Sequence, residues 1–101
     1  MEKRTPHYKL NKVKALIQAG QYIITGTARK TAAYDFAFTE EQIVETILSL
    51  EMNSFYKSMT SYEDYSLWQD VYKMLLEDTH RAYIKIQIIS ENSVIVSFKE
   101  E

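Results

Sequence analysis

The chain has 101 residues, 46% hydrophobic and 13% aromatic, with two glycines and one proline; this excludes the disordered class and leaves length for one core, so residues 1–101 read as a single domain. A net charge of −2 excludes indiscriminate polyanion binding, because phosphate affinity comes from clustered Lys and Arg, and any nucleic-acid role has to rest on a local patch. The absence of cysteine excludes disulfides and thiolate metal sites, and neither a signal-peptide core nor a run of about 18 to 20 apolar residues occurs, which points to a cytoplasmic protein without membrane contact.

The first element is a helix over 7–19: Leu10, Val13, Leu16 and Ile17 recur at helical spacing, with Lys9, Lys12, Lys14 and Gln18 on the other side. Thr5 is the expected cap, Pro6 fits the first turn, and Gly20 is the natural stop. Tyr22-Ile23-Ile24-Thr25 reads as a strand, and 27–36 as a short helix capped by Thr27 and carrying Ala28, Ala32 and Ala33. Thr39-Glu40-Glu41-Gln42 is a capping box that opens a helix ending near Glu51, with Ile43, Val44, Ile47, Leu48 and Leu50 as its buried stripe.

Beyond Met52 the character changes to strands. Residues 55–60 fit either extended chain or a turn of helix, 68–73 read as an aromatic-rich strand, and Glu77-Asp78-Thr79-His80 as an acidic loop. Residues 82–90 and 94–99 are the clearest strands, joined through Glu91-Asn92-Ser93 as a hairpin. The fold class is therefore α+β: a small, twisted, antiparallel-rich sheet packed with about three helices.

Strand parity sorts these side chains into two faces. Ile84, Ile86 and Ile88 point to a core with Val94, Val96 and Phe98, so Tyr83, Lys85 and Gln87 face away beside Ser97 and Lys99. Gln69 and Lys73 share one parity and oppose Trp68 and Tyr72, while Lys57 shares one with Met59. An ordinary solvated antiparallel face has the same Lys, Gln, Ser and Tyr content, so alternation alone does not separate a solvent face from a substrate face.

Several chemistries drop out. His7 and His80 are the two histidines and stand at no ligand spacing, so neither metal nor cofactor is expected. Gly20 and Gly26 build no phosphate loop, and there is no nucleophile elbow. Of the aromatics, Phe36, Phe38, Phe55, Trp68 and Phe98 suit packing, whereas Tyr56, Tyr62, Tyr65 and Tyr83 are the candidates for stacking on nucleobases. Such stacking is worth about 1–3 kcal/mol per base.

Five stretches together resemble the MqsR family of bacterial toxins: the opening Met1-Glu2-Lys3-Arg4-Thr5-Pro6-His7; Phe55-Tyr56-Lys57-Ser58-Met59-Thr60 with Tyr62; Trp68-Gln69-Asp70-Val71-Tyr72; Tyr83 with Lys85; and Val94-Ile95-Val96-Ser97-Phe98-Lys99-Glu100. The resemblance implies a fold similar to RelE-type ribonuclease toxins and a metal-independent endoribonuclease that cuts single-stranded mRNA, with a preference for motifs beginning GC. It also implies a cognate MqsA-like antitoxin, zinc-binding with a helix-turn-helix part, through which the pair would reach DNA and regulate its own operon. Carried over residue by residue, it implies catalytic roles for Lys57, Gln69 and Tyr83; Lys99 is added as a supporting cation and, with Lys85, Lys73, Tyr56 and Met59, makes up the expected substrate-binding residues. Lys73 stands where the family pattern leads one to expect arginine, which exchanges a forked phosphate ligand for a point charge.

These residue types suit RNA cleavage, because the 2′-OH is a nucleophile already present in the substrate. The reaction needs a base for its proton, donors for the phosphorane and an acid for the 5′-oxygen. Lys57 is the expected phosphate stabiliser or base, Tyr83 the acid or stacking group, and Gln69 the positioning donor. Crowding of Lys57, Lys85 and Lys99 is expected to lower each lysine's pKa. A catalytically silent fold relative, acting as a binding module or co-regulator with an antitoxin, is the alternative from another class.

Overall fold

The computed structural model describes residues 1–76 and 80–101. Apart from His80, the expected acidic loop falls outside the described residues. The elements are β1 (Glu2–Lys3), α1 (Leu10–Gln18), β2 (Tyr22–Ile24), α2 (Gly26–Phe36), α3 (Glu40–Leu48), β3 (Phe55–Thr60), β4 (Trp68–Leu76), β5 (His80–Ile89) and β6 (Asn92–Glu100), with a short 3₁₀ turn at Met52–Ser54. The strands form one six-stranded sheet in the order β1-β3-β4-β5-β6-β2. All neighbours are antiparallel except β2, which runs parallel to β6. This is the expected α+β class, and its arrangement is consistent with a RelE-like toxin fold.

One face of the sheet takes all three helices. Leu10, Val13 and Ile17 of α1, Ala28 and Ala32 of α2, and Ile43 and Ile47 of α3 share a core with Leu50, Tyr72, Ala82, Ile84, Ile86, Ile95 and Phe98. Among the described residues, the other face carries no helix. Burying apolar area of this kind stabilises by about 25 cal/mol per Å², so the sequence spends most of its aliphatic residues on one side, and the other parity keeps its lysines and Tyr83 less enclosed than the buried Gln69, Val71, Gln87 and Val94 between them.

Three local expectations are corrected. Thr5 does not cap α1, which starts at Leu10 with Lys9 at its cap position. The backbone N–H groups of His7 and Tyr8 instead donate to the buried Asp70 carboxylate, at 3.0 and 2.9 Å, so a side chain from β4 satisfies donors that a local cap would otherwise take. For α2 the cap is Thr25 rather than Thr27: its Oγ1 accepts the Ala28 N–H at 3.1 Å and donates to the Val96 carbonyl at 3.0 Å. The hairpin turns on Ser90 and Glu91, both left-handed (φ 51° and 59°), with Ile89 paired to Asn92; two-residue turns with positive φ match the twist of the flanking strands.

Other readings hold. Gly20 ends α1 at φ +79°, with its N–H and that of Gln21 bonded to Ile17 and Leu16 carbonyls, as a Schellman closure requires. The Thr39–Gln42 capping box is formed in both directions. Residues 55–60 resolve as a strand.

Two bulges decide which side chains reach the open face. In β6 the register steps from Lys85↔Ser97 to Ile86↔Ile95, leaving Val96 as the extra residue. Ile95 thereby enters the core and Val94 turns to the open face opposite Gln87, which overturns the expected inward placement of Val94 and Val96. In β3 the step from Phe55↔Tyr72 to Lys57↔Val71 makes Tyr56 the extra residue. Phe55 packs on the core while Lys57 keeps the open parity, and Tyr56 swings towards Lys73.

Candidate active site

The open face is built of three cross-strand rows. One holds Met59 opposite Gln69 and Gln87 opposite Val94, the two glutamines joined by a Gln69 Nε2–H donated to Gln87 Oε1 at 3.1 Å. The next runs Lys57, Val71, Lys85, Ser97. The third runs Lys73, Tyr83, Lys99, and the Lys73 ammonium stands 3.8 Å from the centre of the Tyr56 ring. Every site residue anticipated from the sequence therefore lies on one face. Lys57, Lys85, Lys73, Tyr83 and Lys99 share two adjacent rows, with the bulged Tyr56 against Lys73; Gln69 and Met59 occupy the first-named row, beside that of Lys57.

Tyr83 is the hub. The Lys99 and Lys85 ammonium groups lie 5.3 and 5.9 Å from its ring centre, in reach of the ring quadrupole. Burial raises the Tyr83 hydroxyl above the ordinary tyrosine value, against the opposing fields of Lys57 and Lys73. It is thus held protonated, which fits a proton donor and not a base.

Lys57 behaves differently from the expectation. Its Nζ donates to Glu2 Oε2 at 2.7 Å, and that hydrogen bond raises Lys57 above the ordinary lysine value despite partial burial. Like-charge crowding therefore does not turn Lys57 into a base. It does act on Lys85, whose pKa is lowered by burial first and then by Lys99 and Lys57. The face offers a fixed cation in Lys57, a protonated hydroxyl in Tyr83 and a lysine in Lys85 whose neutral form is the more accessible.

Three further groups were not singled out from the sequence. Glu2 arrives because β1 pairs with β3, Glu2 opposite Met59 and Lys3 opposite Ser58. Arg4 donates to the Tyr56 carbonyl at 3.5 Å, its guanidinium carbon 5.6 Å from the Tyr56 ring centre. Glu101 accepts from Lys73, and also lies 3.5 Å from the Arg81 Nε. A two-residue edge strand gives no periodic signal, so the sequence offers no local cue to the first two.

Beside the Met59 row, Met1, Glu2, Met59, Thr60, Tyr62 and Tyr65 line a cavity of about 230 Å³. Tyr62 and Tyr65 are almost free of packing, 91% and 76% exposed. The two histidines are engaged elsewhere: His7 stacks on Trp68 at 5.5 Å and takes a hydrogen bond with Lys3, and His80 pairs with Glu100.

Comparison with known proteins adds to this geometry. Residues 5–100 match the family described as motility quorum-sensing regulator, toxin of MqsA. The chain is 44% identical, over 101 residues that span 100% of both proteins, to the mRNA interferase toxin MqsR of Escherichia coli (strain K12). With a match over nearly its whole length, the chain belongs to the MqsR toxin family.

Proposed function

We propose that residues 1–101 act as one toxin domain, an mRNA-cleaving endoribonuclease of a toxin–antitoxin pair. The convergence of Lys57, Tyr83 and Lys85 on the helix-free face carries this reading: it supplies a cation, an acid and a polarised amine around a space open to a single strand. In the reaction, the 2′-oxygen attacks its adjacent phosphorus while Lys85 assists loss of the 2′-OH proton. Lys57 and Lys99 balance charge growing on the non-bridging oxygens. The P–O5′ bond breaks as Tyr83 passes its proton to the 5′-oxygen, giving a 2′,3′-cyclic phosphate and a 5′-hydroxyl. Gln69 and Met59 flank the neighbouring nucleotide, and Tyr56 and Lys73 hold the strand on the other side.

The same reading places the toxin in the cytoplasm, with activity on GC-initiated motifs and inhibition of growth until a zinc-binding, helix-turn-helix antitoxin neutralises it. The joint complex then acts on operator DNA. Initial rates on a defined single-stranded RNA test the assignment: Lys57→Ala and Tyr83→Phe are each expected to lower kcat by about 10²-fold or more. Unchanged rates in both variants would contradict it.

A further inference from the structure

Two partly enclosed lysines of the open face are already neutralised by carboxylates of the same chain. Lys57, with 19% of its side chain exposed, holds Glu2 Oε2 at 2.7 Å, and Lys73, at 24%, is paired with Glu101. In both pairs the carboxylate is the more exposed partner, at 53% for Glu2 and 35% for Glu101. The lysines are thus fixed to the sheet, Lys57 in the row of Val71 and Lys85 and Lys73 beside Tyr83 and Tyr56. Each carboxylate offers the charge and oxygen geometry that a phosphodiester presents to a lysine.

Resting on the reading of this face as an RNA site, we infer that Glu2 and Glu101 are built-in phosphate surrogates that set substrate affinity. A strand seats by exchanging two of its phosphates for these carboxylates on Lys57 and Lys73. The exchange swaps one ion pair for another, so little net binding energy comes from these two contacts. Fewer counterions are released than four front-face lysines would otherwise give, because two of them carry an anion beforehand. In a chain of net charge −2, this keeps stray polyanions off the face. Occupancy then depends on a ligand that engages both lysines together and also gains the stacking and hydrogen bonds between them.

The test uses the purified full chain and a short oligoribonucleotide that is 2′-O-methylated throughout, so that binding is read without cleavage. Glu2→Gln and Glu101→Gln each keep shape and remove the charge. Each is expected to tighten binding by about three- to tenfold at low salt, and to steepen the slope of log Kd against log salt by about 0.7 per lysine released. Glu45→Gln, on α3 at the helix-bearing face of the sheet, removes the same charge without touching Lys57 or Lys73 and is expected to change neither. In a Lys57→Ala background, Glu2→Gln is expected to have no effect. The inference is overturned if Glu2→Gln and Glu101→Gln leave affinity and slope unchanged, if either weakens binding, or if Glu45→Gln matches them. Since Glu101 does not touch β1, its variant separates the electrostatic effect from any loosening of that strand. Cleavage of an unmodified RNA by the wild type, run alongside, reports on the enzymatic assignment independently.

Discussion

Individual side chains divide between those that hold the sheet together and those that face the substrate. Asp70 belongs to the first group: it is 2% exposed and accepts the backbone N–H groups of both His7 and Tyr8. Asp70→Ala strands these donors, and chemical denaturation is expected to show a loss of about 1–3 kcal/mol. Tyr72 is a different case, since its buried hydroxyl has no partner among the described residues and its pKa is pushed up to about 12 by burial; the ring is retained for packing against Phe55. On the open face, Lys85 sits below the ordinary lysine value and Lys57 above it. As pH rises, Lys85 therefore loses its charge first, and kcat is expected to climb as its neutral, proton-accepting form accumulates, before Lys57 titrates. Lys85→Arg keeps its charge past that range, so its alkaline rise in kcat should disappear; a rise at the wild-type position would assign the effect to another group. The lysines and Tyr83 were legible from alternation and motif, but the ion pair that reverses the Lys57 shift was not. Glu2 and Lys57 lie far apart in the chain, and only the β1–β3 register brings them together.

At the scale of elements, capping and bulges explain both what the sequence disclosed and what it hid. The Thr39–Gln42 box and the Gly20 stop are local: the residues that make the hydrogen bonds lie within one turn of one another. Thr25 was missed as a cap because its advantage over Thr27 comes from β6, whose Val96 carbonyl takes its hydroxyl proton. The bulge at Val96 inverts the parity of Val94 and Ile95 while Ser97, Phe98 and Lys99 keep the expected one, because one extra residue switches the faces on one side of it relative to the other. The bulge at Tyr56 is the matching device in β3 and places Tyr56 by Lys73. The end of α2 stores a small strain, since Ala37 is left-handed at φ 58° and exposed. Ala37→Gly is expected to stabilise by about 0.5–1 kcal/mol, seen as a raised Tm with kcat unchanged.

For the whole molecule, the division of labour between two sheet faces is the decisive feature. Three helices on one face provide the core, and no described helix is long and apolar enough to cross a membrane. The remaining face gathers the cations that a chain of net charge −2 otherwise disperses. The class of fold was readable because buried stripes and alternating strands are local patterns; the strand order β1-β3-β4-β5-β6-β2 was not, because the β1 and β2 edges are set by pairings with β3 and β6 from the other half of the chain. The central step is intramolecular attack by the substrate's own 2′-OH on this open face. It is tested most directly by incubating the purified toxin with a single-stranded RNA in EDTA and identifying the product ends. The expected products carry a 2′,3′-cyclic phosphate, or the 3′-phosphate formed from it, and a 5′-hydroxyl, with cutting abolished where the attacking 2′-OH is methylated. Products with 5′-phosphates, or cleavage that persists at the methylated position, would contradict it.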